Sequence, residues 1–173
     1  MPSEHPARRI VAIDEGVVPF PEDAVFGVLM DLSHYADWWP KPFRFRVEEA
    51  APGNVGTRVR VWNGRLVSWL ATVTAVGPNR IDLAYSGGAW EGEARWSLRD
   101  VLGGTAVVFR VDVDPRPWWL RFVAWRSDLS KRHSKQMKGV FSALGRRLEA
   151  LGVPRLPEPL PPDRPPPLTL AAP

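Results

Sequence analysis

Residues 43–49 read FRFRVEE, and the alternation of apolar and polar side chains continues in five further segments as far as residue 113. Alternation with a period of two predicts β-strands that bury one face. Asn63-Gly64 favours a two-residue hairpin, because both turn positions take positive φ. The pattern therefore predicts six strands in a meander, the later five being TRVRVW (57–62), RLVSWLATVTAV (65–76), RIDLAY (80–85), AWEGEARWSL (89–98) and TAVVFRVDV (105–113).

The alternation also assigns the two faces of the predicted sheet. Arginines and acids fill one face, so we expect it to be solvated while the other packs against the core. The apolar face carries Phe43, Phe45, Val47, Val59, Val61, Val67, Trp69, Ala71, Val73, Ile81, Leu83, Tyr85, Trp90, Ala94, Trp96, Leu98, Val107, Phe109, Val111 and Val113.

Upstream of the meander, the sequence predicts one more strand and two short helices. Residues 9–18 are rich in β-branched side chains, which favours a strand. Pro21 and the acidic pair after it suit the first turn of a helix. A second short helix is expected over residues 33–39, with Ser33 as its N-cap and Pro40 as its stop.

Downstream, Pro115 and Pro117 end the last strand, and residues 118–151 predict one long amphipathic helix. At 100° per residue, one apolar stripe contains Phe122, Leu129, Val140, Leu144 and Leu151. The simplest packing is an α+β fold, in which a curved seven-stranded antiparallel sheet wraps around this terminal helix.

Composition sets the limits on domain number and chemistry. A chain of 173 residues favours one domain, and zero cysteines exclude disulfides, thiolate nucleophiles and Cys-ligated metals. Nine of the nineteen prolines lie in residues 154–173, so we predict a tail at 1–7, a domain at 8–152 and a Pro-rich extended tail at 153–173. Without a long apolar stretch or a signal core, a cytoplasmic location is expected.

Two segments carry a family resemblance. VPFPEDAVF (18–26), followed by DLSHYADWWP (31–40), resembles the opening of the START-like (SRPBCC) superfamily, in its polyketide cyclase/dehydrase-like branch. Gly56-Thr57-Arg58-Val59 and Trp96-Ser97-Leu98 are similar to later family positions. The resemblance covers roughly residues 8–152 and implies a helix-grip fold with a cavity between sheet and helix. Such members include carriers and enzymes, so the fold does not choose between them.

Large aromatic side chains aimed inward support a cavity independently of the resemblance. They could fill the core or line a pocket, and both interpretations stay open. His133 and Arg126 also lie on the apolar side of the predicted long helix. The candidate ligand-binding residues are therefore Arg126, His133, Trp69, Tyr85, Trp90, Trp96, Phe109, Trp125, Leu129 and Met137.

Arg126 and His133 have two interpretations each. Arg126 reaches solvent and pairs with an acid, or it binds an oxygen of a ligand. His133 is a satisfied core histidine, or it moves protons in catalysis. No zinc, hydrolase or phosphate-loop motif accompanies them, so we expect no metal and no cofactor.

The leading functional prediction is a soluble binding or transport protein for a hydrophobic, ring-bearing small molecule of the lipid, polyketide or quinone class. The alternative is a polyketide cyclase/dehydrase-like enzyme that uses His133 and Arg126. A basic helix face, formed by Arg121, Lys131, Arg132, Lys135, Lys138 and Arg146, is simply solvated or contacts anionic membrane. Specific nucleic-acid binding is not expected, because the tryptophans point inward.

Overall fold

A computed structural model describes residues 9–126 and 128–158 of the chain. The predicted tail at 1–7 and most of the Pro-rich tail lie outside these residues. The strands are β1 (Ile10–Val18), β2 (Phe43–Glu49), β3 (Arg58–Asn63), β4 (Val67–Gly77), β5 (Arg80–Ser86), β6 (Trp90–Val101) and β7 (Gly104–Pro115). The helices are α1 (Glu22–Met30), α2 (Tyr35–Trp38), α3 (Trp118–Arg126) and α4 (Leu129–Ala150), with a 3₁₀ turn at Leu32–His34.

All seven strands form one antiparallel sheet in the order β1-β7-β6-β5-β4-β3-β2. The predicted α+β helix-grip fold is confirmed, including the meander of β2 to β7. The hairpin at Asn63 differs from the prediction. Asn63 ends β3 and pairs with Val67, so the loop is Gly64–Leu66 and has three residues. Gly64 takes a φ of 72° there, the left-handed backbone that suits glycine in such loops.

The curved sheet wraps around α4, which packs most closely against β1. Val140, Leu144 and Leu148 of α4 are fully buried against the inner face of the sheet. Gly16 of β1 makes this approach close, because a Cβ atom there would lie 2.7 Å from the Phe141 ring. The core is therefore continuous from β1 through α4 to the central strands.

The prediction of one helix over residues 118–151 was wrong, because the chain forms α3 and α4 as separate helices. Asp128 begins α4 by accepting a hydrogen bond of 3.1 Å from the backbone N–H of Lys131. A capping carboxylate satisfies an N–H that a continuous helix would have paired internally. The predicted apolar stripe holds within α4, where Val140 and Leu144 are fully buried, but Phe122 on α3 and Leu151 after the end of α4 are exposed.

Smaller differences occur at the N-terminal helices and at the tail. Ser33 does not cap a helix; its Oγ donates to the Asp31 carboxylate inside the 3₁₀ turn. Residues 153–158 lie on the domain surface, where the Leu156 N–H donates to the Pro19 carbonyl at 2.8 Å. Among the described helices, none has both the length and the apolar character needed to cross a membrane.

Candidate functional site

A cavity of about 370 Å³ lies between the inner face of the sheet and the two C-terminal helices. Its strand walls are aromatic and β-branched. Its helical walls come from α3 and from the first three turns of α4. The lining residues are Ile10, Trp39, Phe43, Asn63, Val67, Trp69, Tyr85, Trp90, Phe109, Val111, Val113, Trp119, Leu120, Val123, Leu129, Arg132, His133, Gln136 and Met137.

Seven of the ten predicted ligand-binding residues line this cavity: Trp69, Tyr85, Trp90, Phe109, Leu129, His133 and Met137. Trp96 lies deeper, where it borders an inner space of about 50 Å³ that shares Trp39 and Phe109 with the main cavity. Trp125 and Arg126 lie outside. Trp125 is exposed, and the Arg126 guanidinium lies 6.0 Å from the ring of Phe122. The break between α3 and α4 explains this, because it separates Arg126 from the face that carries His133.

His133 forms a pair with Asp14, a residue that the sequence interpretation did not select. Asp14 Oδ2 lies 2.8 Å from His133 Nδ1, and Asp14 is only 8% exposed. The alternation of β1 could have indicated this residue, because Asp14 is two residues after Ala12 and four after Ile10 and therefore lies on the same inward face. An acid at an inward position costs free energy unless it finds a partner, and α4 supplies one.

The sheet register fixes the position of the imidazole. Asp14 and Phe109 are opposite each other in the β1–β7 pair. The His133 ring stacks on Phe109 with 5.8 Å between centroids and an interplanar angle of 16°. One strand pair therefore supplies both the carboxylate that holds Nδ1 and the surface on which the ring rests.

Burial lowers the pKa of His133 below its ordinary value of 6.5, and Asp14 opposes that shift only in part. The imidazole is consequently neutral near pH 7. In this state Nδ1–H donates to Asp14, which leaves Nε2 unprotonated. No residue in the described part of the chain hydrogen-bonds Nε2. The cavity wall thus carries an oriented neutral imidazole with one nitrogen available to a ligand.

The inner wall of the cavity holds hydrogen-bond donors that lack acceptors. The buried indole nitrogens without a hydrogen-bond partner among residues 9–126 and 128–158 belong to Trp38, Trp39 and Trp69, of which Trp39 and Trp69 line the cavity. Burial raises the pKa of the Tyr85 hydroxyl, which keeps it protonated; the Trp69 indole N–H beside the hydroxyl opposes this shift in part, although it does not reach hydrogen-bond geometry. Buried polar groups are normally hydrogen-bonded, so a bound molecule with an accepting oxygen would supply what these indole N–H groups lack.

Arg132 and Gln136 contribute polar groups from the first turns of α4. The sequence interpretation placed Arg132 on the basic outer face, and Arg132 is exposed in the structure, where it also borders the cavity. It forms no ion pair within the described chain. Arg132, and not Arg126, is therefore the arginine of these helices that borders the cavity.

A second depression of about 390 Å³ lies on the opposite, solvated face of the sheet. Several charged side chains line it, and two of the acids are paired, Asp82 with Arg95 and Asp112 with Arg9. This is the polar face that the alternation predicts. The described residues also contain no group of three or more His, Asp or Glu side chains that could hold a metal ion.

Comparison with known proteins identifies the family. Residues 14–149 match the family described as polyketide cyclase / dehydrase and lipid transport. The chain belongs to this family. The START-like resemblance seen in the sequence is thereby confirmed, and membership in the polyketide cyclase/dehydrase family indicates hydrophobic ligand binding or cyclase activity.

Several solved structures have the same fold as this chain. TTHA0849 from Thermus thermophilus has 19% identity and a TM-score of 0.70, covering 82% of this chain and 98% of that one. A START superfamily protein from Mycobacterium smegmatis has 16% identity and a TM-score of 0.65, covering 82% and 98%. The Zhui aromatase/cyclase from Streptomyces sp. R1128 has 16% identity and a TM-score of 0.60, covering 82% and 94%. The curated proteins contain no match by sequence.

Proposed function

We propose that the protein binds and carries one compact, ring-bearing hydrophobic molecule with an accepting oxygen, of the lipid, polyketide or quinone class. The observation that carries this proposal is a largely aromatic and aliphatic cavity lining in which the buried indole N–H groups of Trp39 and Trp69 have no acceptor in hydrogen-bond geometry among the described residues. A carbonyl, phenol or quinone oxygen would satisfy these donors. An oxygen-free hydrocarbon would leave them unpaired.

The size and lining of the cavity support a small ring system. A volume of about 370 Å³ is near the lower end of the range of roughly 300–1,000 Å³ for small-molecule sites. Trp69 and Tyr85 line the cavity with aromatic rings, and aromatic contacts favour offset or edge-to-face packing of a bound ring. His133 Nε2 and Arg132 provide polar contacts at the α4 side of the same space.

The experiment is a thermal-shift screen of hydrophobic ligands in matched pairs, with and without a ring carbonyl or hydroxyl. A ligand that binds only the folded state raises the melting temperature. We expect the oxygenated member of a pair to give the larger shift. If no ligand of any class shifts the melting temperature at saturation, the binding proposal fails.

Trp69→Phe tests the donor directly, because it keeps a ring in the wall and removes the N–H. Loss of one hydrogen bond, worth about 0.5–1.5 kcal/mol, weakens the oxygenated ligand about 2- to 12-fold. The oxygen-free partner should bind as before. Trp62→Phe is the matched control, because Trp62 lies on the outer face, where Arg44 and Arg46 cover its ring at 5.5 Å. Equal losses in both variants would contradict the assignment.

The Asp14–His133 pair favours a second candidate, a cyclase/dehydrase-like enzyme in the same cavity. His133 Nε2 would take a proton from carbon next to a carbonyl, and Asp14 would hold the tautomer and stabilise the imidazolium that forms. The protonated imidazole would then return the proton to a departing hydroxyl, which leaves as water. The part given to Arg126 in this mechanism has no support, because Arg126 lies outside the cavity, whereas Arg132 lines it.

His133→Asn separates the two candidates. The asparagine side-chain amide can replace Nδ1–H toward Asp14 but offers nothing in the place of Nε2. An enzyme would lose turnover of a β-hydroxy carbonyl substrate while its ligand affinity changed little. A carrier would show no turnover with either protein, and the variant would still bind. Undiminished turnover in His133→Asn would exclude His133 as the base.

A further inference from the structure

Helix α3 presents an aromatic stripe to the surface. Trp118 is 80% exposed, Phe122 55% and Trp125 59%. Their spacing of four and three residues places all three on one helix face, and the Phe122 and Trp125 rings lie 5.9 Å apart. The opposite face is buried through Leu120 and Ala124. A contiguous exposed apolar stripe on a folded protein marks an interaction surface.

The charge around this stripe is strongly positive. Residues 116–138 contain seven lysines and arginines and one acid, Asp128; of the seven, Arg116 pairs with Glu91 of β6 at 3.0 Å. Asp128 caps α4 and lies 3.6 Å from the Lys131 ammonium group. Arg121 and Arg126 on α3 itself are exposed, and α3 contains no acidic residue. The partner of this face therefore carries negative charge beside an apolar layer.

We propose that α3 docks the protein on an anionic membrane surface. Tryptophan prefers the boundary between headgroups and acyl chains, where its ring is buried and its N–H stays hydrated. Arg121 and Arg126 flank the stripe and would meet anionic headgroups, which attract basic residues near the membrane surface. The exposed stripe of α3 would lie in the interface plane, while its opposite side stays packed on the protein through Leu120 and Ala124.

Charge argues against a second copy of this chain as the occupant. A symmetric dimer through α3 would bring Arg121 and Arg126 of one copy close to the same residues of the other, and α3 itself carries no acid to pair with them. A bilayer with anionic lipid supplies both an apolar layer and the opposite charge. Helix α3 also lines the cavity through Trp119, Leu120 and Val123, so docking would place one cavity wall at the bilayer. The docking itself does not depend on which ligand the cavity holds.

The test is co-sedimentation of the full chain with phosphatidylcholine vesicles, with and without phosphatidylserine. We expect binding to the anionic vesicles that weakens as salt is raised. Arg121→Gln and Arg126→Gln should each reduce the affinity about fivefold. Trp118→Ser with Phe122→Ser should reduce it about tenfold or more.

Matched controls come from other exposed positions. Leu66 is 82% exposed and Arg65 is exposed in the same loop, so Leu66→Ser and Arg65→Gln alter apolar and basic character away from α3. These variants should bind vesicles like the unchanged protein. Melting temperatures near that of the unchanged chain verify that each variant folds.

Three results would overturn the proposal. One is failure of the chain to bind either vesicle. Another is equal loss of binding in the α3 variants and in the controls at Arg65 and Leu66. The third is a dimer in size-exclusion chromatography that the Trp118/Phe122 variant converts to a monomer, because the stripe would then be a contact between copies of this chain.

Discussion

Replacing His133 by alanine removes the only side-chain hydrogen-bond partner that the described residues give to the buried Asp14 carboxylate. A hydrogen bond to a charged group contributes about 1.5–3 kcal/mol. We therefore expect His133→Ala to lower the free energy of unfolding by about that amount. For a chain of this size the melting temperature should fall by about 3–12 °C.

His133→Asn is the matched variant, because its amide can still donate to Asp14. Urea unfolding at pH 7.5, followed by tryptophan fluorescence and by circular dichroism, gives the free energy for both variants. We expect His133→Asn to retain most of the stability that His133→Ala loses. Agreement of the two probes verifies that each transition is two-state.

A double-mutant cycle that combines Asp14→Ala with His133→Ala separates the interaction between these two side chains from the packing of the His133 ring on Phe109. The expected coupling free energy between Asp14 and His133 is about 1.5–3 kcal/mol. A coupling near zero would refute the reasoning, because the two side chains would then act independently. Equal destabilisation by His133→Ala and His133→Asn would refute it as well.

Three further predictions concern pH and packing. Burial lowers the pKa of His133, so as the pH falls the unfolded chain binds a proton at this histidine before the folded chain does. The contribution of His133 to the free energy of unfolding should therefore be complete above about pH 6.5 and decrease below it. In urea unfolding at several pH values, His133→Asn should not show this part of the pH dependence. Leu144→Ala, at a fully buried position, should cost about 2–5 kcal/mol in urea unfolding, while Leu66→Ala at an exposed position should change stability by less than about 0.5 kcal/mol. Gly16→Ala should lower the free energy of unfolding by about 1–3 kcal/mol in calorimetry, because the new Cβ would lie 2.7 Å from the Phe141 ring. Adding Phe141→Leu should recover part of that loss. If the effects of the two substitutions on the free energy of unfolding simply add, this cause is contradicted.

The strands and their faces were predictable because alternation is a local property of the chain. Each strand of the meander pairs with its neighbour in sequence, so short turns set most of the register. The first strand needed a longer connection, yet its β-branched residues identified it. The hairpin at Asn63 was misjudged by one residue, since a three-residue loop and a two-residue loop differ little in sequence.

The break between α3 and α4 was not predictable from periodicity, because the apolar pattern continues across it. In the folded chain the Asp128 carboxylate accepts a hydrogen bond from the Lys131 N–H, and α4 begins there as a separate helix. That local choice moved Arg126 and Trp125 to the surface and brought Arg132 to the cavity. It also produced the exposed stripe of α3, which a single long helix would have turned toward the core.

The sequence by itself determined the order of strands and helices, the inward face of the sheet and most of the aromatic cavity wall. These features depend on propensity and periodicity, which act between near neighbours. Only the tertiary structure decided that Asp14 meets His133, because 119 residues separate them in the chain and the pairing of β1 with α4 joins them. It also decided that the aromatic side chains leave an open volume, since the space between distant segments depends on how closely their surfaces pack.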